Sequence, residues 1–213
     1  RDVMKGTIRS VGRIDRDGIH VGTGFVVAPG VVMTNRHVLQ ELATRNGTTG
    51  RWSLVGGTAT IDFVREYGSD GTSSFVVTDV VFAGPKVIAD DMDIGKLDLA
   101  LLAVETTNSE HQDLPPRLPL SKNLAGARGM GEVYMVGYPA KPARLPLGGD
   151  PRDVQLIDTL KRVFRMRYGF KRLALGSITH PLGKVPGDGV PWAIGHDATT
   201  LGGNSGSCVV GLT

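Results

Sequence analysis

The sequence predicts an all-β chain, a sandwich or barrel of many short antiparallel strands. Three observations carry this. Glycine and proline number 30 and 12 of 213 residues, as short strands joined by tight turns require. Runs of β-branched and aromatic residues recur at strand length, separated by turn dipeptides such as Pro29-Gly30. Helical periodicity is confined to two stretches, which disfavours alternating βαβ units.

The elements follow in order. Thr7–Ile14 and His20–Ala28 read as strands, and Pro29-Gly30 turns the chain into Val31–Thr34. That hairpin ends at Asn35-Arg36-His37, and Val38–Leu42 reads as one or two helical turns. Further strands are expected at Trp52–Val55, Thr58–Val64, Ser74–Phe82 and Leu97–Val104. Pro115, Pro116 and Pro119, with Gly126, Gly129 and Gly131, mark a connector. The expected division is therefore 1–105, a connector 106–131, and a second strand set over 132–213. In that set Glu132–Gly137, Lys171–His180, Val190–Gly195 and Cys208–Leu212 are strand-like. One helix interrupts it near 151–168, with Asp150 as N-cap, Pro151 at the first position and Gly169 as stop. Its apolar residues Val154, Ile157, Leu160 and Phe164 lie at helical spacing.

Composition narrows the function classes. A formal net charge of only +3 is too small to argue for a nucleic-acid partner. No apolar run approaches the ~18 residues that would span a bilayer, so no membrane association is expected. The single cysteine, Cys208, fits a reducing, cytoplasmic compartment, with a secreted or periplasmic one as the alternative. Arg1 at the start points to a piece of a longer or processed chain.

The chemistry concentrates in "TLGGNSGSCVV" at 200–210, where Ser205 sits among glycines just before an apolar strand. A serine hydroxyl is a poor nucleophile at neutral pH and needs a histidine base, itself oriented by a carboxylate. The histidines are His20, His37, His111, His180 and His196, and none follows Ser205. That order disfavours the α/β-hydrolases, and Ser207 breaks their G-x-S-x-G pattern. His37 lies where a strand ends and a helix begins. Asp98 enters the apolar strand of "KLDLALLAV", and a buried carboxylate there needs a partner such as an imidazole N–H.

Three stretches then carry a resemblance: "GTGFVVAPGVVMTNRHV" around His37, "DLALL" around Asp98, and "DATTLGGNSGS" around Ser205. The chain resembles the trypsin-like (chymotrypsin-fold) serine peptidases, in the disulfide-free bacterial branch that includes glutamyl endopeptidases. The resemblance spans about residues 5–213 and is thin between 105 and 190. It implies two six-stranded antiparallel barrels, with one short helix after His37 and one near 151–168. It also implies a serine endopeptidase acting on protein or peptide substrates through an acyl-enzyme, without cofactor or metal. In it Ser205 is the nucleophile, His37 the general base and acid, Asp98 the orienting carboxylate, and the N–H groups of Gly203 and Ser205 the oxyanion hole.

The pattern also has departures. Asn204 stands where the vertebrate digestive enzymes have the aspartate that pairs with a freed N-terminus, so activation by that route is not expected. Val38 and Cys208 replace a cysteine and a proline of many relatives, and Cys208 reads as a small buried residue opening a strand. The pocket floor falls on Thr199 and Thr200, whose hydroxyls carry no full charge and predict no preference for basic residues. Relatives continue well past the serine, so the second barrel is expected to be incomplete, with strands supplied beyond Thr213 by a fused segment or a partner chain.

Other features take plainer readings. "DDMDIG" at 90–95 lacks the remaining ligands of a calcium loop and reads as a solvated acidic turn. Lys161, Arg162, Arg165, Arg167, Lys171 and Arg172 read as a solvated helix face rather than a nucleic-acid site. His196 and Asp197 read as support for the serine loop. The competing function is a catalytically weak or inactive interaction module on the same fold.

Overall fold

A computed structural model describes residues 2–89, 94–142 and 151–212. Asp90–Asp93 of the acidic turn and the expected N-cap Asp150 lie outside the described residues.

The chain starts with a helix, α1 (Asp2–Ser10), where a strand was expected to begin at Thr7. Tertiary packing overrides the β propensity of Thr7 and Ile8. Met4 and Ile8 lie against buried Val11, Phe25 and Tyr134, and the Thr7 hydroxyl meets Tyr134 Oη at 3.0 Å. Strands β1 (Val11–Arg16) and β2 (Ile19–Ala28) form a hairpin through Asp17-Gly18. Both turn residues have positive φ, 53° and 77°, the conformation that matches a two-residue turn to strand twist.

β3 (Val31–Thr34) follows, then α2 (Arg36–Leu42), which contains His37 rather than following it. A strand no sequence signal marked, β4 (Ala43–Arg45), pairs with β5 (Trp52–Leu54). β6 (Ala59–Asp62), β7 (Ser74–Ala83) and β8 (Ala100–Val104) complete a closed antiparallel barrel of order β1-β2-β3-β8-β7-β6. β8 starts at Ala100, not Leu97, which leaves Asp98 just outside the barrel. The barrel core comprises Ile14, Val32, Ile61, Phe75 and Leu102, joined by Val38, Leu39 and Leu42 of α2. Full burial of such side chains stabilises by about 1.5–3 kcal/mol each.

The second half holds α3 (Ala125–Arg128), β9 (Glu132–Gly137), α4 (Pro151–Phe164), β10 (Arg172–His180), β11 (Gly195–His196) and β12 (Cys208–Gly211). Its strands form an antiparallel sheet of order β11-β10-β9-β12. The strand expected over Val190–Gly195 reduces to Gly195–His196, because Asp188 ties the N–H groups of Val190 and Ala193 into a loop. α4 stops at Phe164, ahead of Gly169, where Arg165 and Met166 adopt positive φ. It buries Leu160 and Phe164, while Val154 is exposed.

The basic run is not uniformly solvated. Lys171 is largely buried and donates to Ile8 O (2.7 Å) and Phe63 O (2.6 Å), while Arg172 donates to Phe164 O at 2.8 Å. Both cations satisfy backbone carbonyls with these bonds. A second core cluster sits where the halves meet, built from Val11, Phe25, Tyr134, Val136, Tyr138 and Cys208. Among the described residues no helix is long and apolar enough to cross a membrane, and no cluster of three metal-ligating side chains occurs.

Candidate active site

Thr34 ends β3, and Asn35 turns the chain into α2 in an extended conformation. Asn35 does not cap the helix with its side chain; its Nδ2 donates to the carbonyl of Asp98 at 2.8 Å. The carboxylate of Asp98 takes over at the helix start. Its Oδ1 accepts the His37 N–H at 2.9 Å, one of the donors that a helix leaves unpaired in its first turn. Its Oδ2 lies 2.7 Å from His37 Nδ1. Two contacts from one carboxylate fix both the backbone and the ring of His37. An ionised carboxylate only accepts, so Nδ1 carries the proton, and in the neutral ring Nε2 is the nitrogen with the free lone pair. Burial raises the Asp98 pKa, but the hydrogen bonds from His37 and the Arg36 N–H outweigh it and hold the group below the ordinary carboxylate value.

Ser205 lies on the turn 201–207 that enters β12. All four carbonyls of residues 202–205 accept hydrogen bonds: from Ala140 N–H to Gly202 (2.6 Å), from Thr23 Oγ1 to Gly203 (2.7 Å), from Ser207 N–H to Asn204 (2.9 Å), and from Thr23 N–H to Ser205 (2.8 Å). In a trans peptide the N–H points away from its carbonyl. The carbonyls of Gly202 and Asn204 point to Ala140 N–H and Ser207 N–H, so the N–H groups of Gly203 and Ser205 point away from those partners. Neither donates to a described protein group. Gly203 and Gly206 have φ of 84° and 89°, which favours glycine strongly. A Cβ on Gly206 would also collide with Thr23 O and Thr34 Oγ1.

The turn sits beside α2. A Cβ on Gly22 would lie 2.7 Å from Val38 and 3.2 Å from the Ser205 carbonyl, so this glycine lets the serine turn approach the helix next to His37. The structure brings His37 and Asp98 into contact; no hydrogen bond joins the Ser205 hydroxyl to His37 among the described residues.

His37 and Asp98 line a cleft of about 810 Å³ with Ile88, Ile94 and Trp192, whose Nε1 donates to Ile94 O at 2.6 Å. Thr199 and Thr200 line a separate cavity of about 210 Å³ with Asn204, Gly137, Phe164 and Arg172. Asp197 accepts the Ser177 N–H at 2.6 Å, tying the start of the loop to β10, and His196 Nδ1 is buried with no hydrogen-bond partner among the described residues. Cys208 is buried, which raises its thiol pKa to about 11 and leaves it unreactive at neutral pH.

Sequence reasoning missed Thr23, Asn35 and His20. His20 borders Gly203, and its Nε2 lies 3.1 Å from Gly22 O. Burial and then the charge of Arg13 lower its pKa to about 4. The available signal was weak: polar residues inside an apolar strand, with no hint of their partners.

The family model for the trypsin-like peptidase domain matches residues 22–212. The chain belongs to the trypsin-like peptidases. A probable serine protease of Lysobacter enzymogenes is 35% identical over 94% of this chain and 53% of its own length, so the chain spans about half of that relative. HL collagenase is 13% identical and covers 96% of this chain and 76% of itself, with a TM-score of 0.57. At that identity the likeness bears on the fold alone, and supports a double-barrel fold whose second half comprises, among the described residues, a four-stranded sheet. The Rv3671c protease of M. tuberculosis H37Rv in its inactive form is 24% identical over 98% of this chain and 75% of its own, with a TM-score of 0.49.

Proposed function

We propose that this trypsin-like peptidase is a serine endopeptidase using His37, Asp98 and Ser205. The carrying observation is the double hold of Asp98 on His37, which leaves Nε2 as a proton acceptor. Ser205 Oγ attacks the substrate carbonyl as His37 Nε2 takes its proton, and Asp98 stabilises the imidazolium. The N–H groups of Gly203 and Ser205 receive the oxyanion, aimed by their bonded carbonyls. His37 then protonates the departing amine, and water repeats the sequence on the acyl-enzyme. Apo geometry with the serine not yet bonded to its base is common and tightens on substrate binding.

Thr199 and Thr200 line the cavity beside the serine turn together with Arg172. Neither threonine carries a full charge, so no preference for a cationic substrate side chain is expected there. The second reading, an interaction module without turnover, is favoured by the missing bond between Ser205 and His37. Hydrolysis of labelled casein decides: turnover by the parent and its loss in Ser205→Ala support the peptidase, and equal rates in both contradict the assignment of Ser205.

A further inference from the structure

Thr23 is completely buried in β2, yet its polar atoms all face the other half of the molecule or the strand beside it. Its N–H donates to Ser205 O at 2.8 Å. Its hydroxyl donates to Gly203 O at 2.7 Å and accepts the Tyr138 N–H at 3.2 Å. Its carbonyl accepts the Thr34 hydroxyl at 2.7 Å, and Thr34 closes the strand that leads into Asn35 and His37. One residue therefore links the strand before the histidine to alternate carbonyls of the serine turn.

We propose that Thr23 is a positioning residue that sets the N–H groups of Gly203 and Ser205 relative to His37. The inference rests on the assignment of Ser205 and His37 above. The Thr23 hydroxyl bond fixes the peptide between Gly203 and Asn204, which links the two peptides carrying the Gly203 and Ser205 N–H groups, so losing that bond frees the link that sets their relative orientation. The hydroxyl is the part that matters. Valine has the same shape without it, and would leave the Tyr138 N–H buried and unpaired and the Gly203 carbonyl with His20 in place of two partners. Serine keeps the hydroxyl and removes only a methyl group.

The test compares Thr23→Val and Thr23→Ser with the parent on labelled casein, with Ile61→Val in the barrel core as a stability control. Displacing a catalytic group by about 1 Å can cost roughly a hundredfold in rate. We expect Thr23→Val to lower kcat by about ten- to a hundredfold with KM within about twofold, and Thr23→Ser to stay within about threefold of the parent. Ile61→Val should leave kcat unchanged. An unaltered kcat in Thr23→Val, or a Thr23→Ser enzyme as slow as Thr23→Val, would overturn the proposal. A second measurement stands apart from turnover. The backbone amide resonances of Gly203 and Ser205 should shift and broaden in Thr23→Val but not in Thr23→Ser; unchanged amides in Thr23→Val would overturn it. Turnover retained in Ser205→Ala would sink the serine assignment instead, and the amide comparison would still decide whether Thr23 holds the turn.

Discussion

The closed N-terminal barrel and the four-stranded C-terminal sheet divide the work of the fold unequally. The barrel has every strand paired on both edges and a core in which Ile14, Val32, Ile61, Phe75 and Leu102 are fully enclosed. In the sheet, Leu173, Leu175 and Val209 remain exposed at 38%, 63% and 39%, and apolar burial concentrates where the sheet meets the barrel. The N-terminal half holds His37 and Asp98, which border the barrel, by bonds within that half. The sheet carries Ser205 on a turn whose carbonyls are held in part by Thr23 of the barrel. A half that is less enclosed can still present a defined turn if the enclosed half holds it.

The largest effect should come from the N-terminal half. Asp98→Asn would present an amide N–H to Nδ1 and favour the wrong tautomer, so kcat should fall by about a thousand- to ten-thousandfold with little change in KM. Steady-state kinetics check this, and a loss below tenfold would remove Asp98 from the proposed mechanism.

A matched pair of valines sharpens the contrast in packing. Val32→Ala in the barrel core should cost about 2 kcal/mol, whereas Val209→Ala on β12 should cost less than about 0.5 kcal/mol. Urea unfolding measures both, and equal costs would erase the distinction between the halves.

A pH effect concerns His20 at the junction. Its folded pKa of about 4 lies below the ordinary 6.5, so between these values the unfolded chain binds the proton and the folded chain does not. Stability should therefore decline as pH falls from 6.5 to 4, and His20→Gln should flatten that slope in melting temperature. A slope unchanged by the substitution would show that other groups set it.

Local features were legible in the sequence wherever their cause is local. Pro29-Gly30 and the start of α4 at Pro151 follow from backbone restriction, and a carboxylate at Asp98 beside an apolar strand calls for a donor that His37 supplies. The elements misread have distant causes. α1 is held by Tyr134 and, through Ser10, by Pro116 O at 2.6 Å. Lys171 reads as a surface cation until Ile8 and Phe63 supply carbonyls from the other half. Thr23 has its hydroxyl partners 180 and 115 residues away, at separations no periodicity can report.

The central claim is that the two halves together activate Ser205, and covalent labelling with a fluorophosphonate probe tests it most directly. Peptide mass mapping should place the adduct on Ser205, with none in Ser205→Ala and a labelling rate at least about a hundredfold lower in His37→Ala. An adduct elsewhere, or a rate unaffected by His37→Ala, would contradict the account.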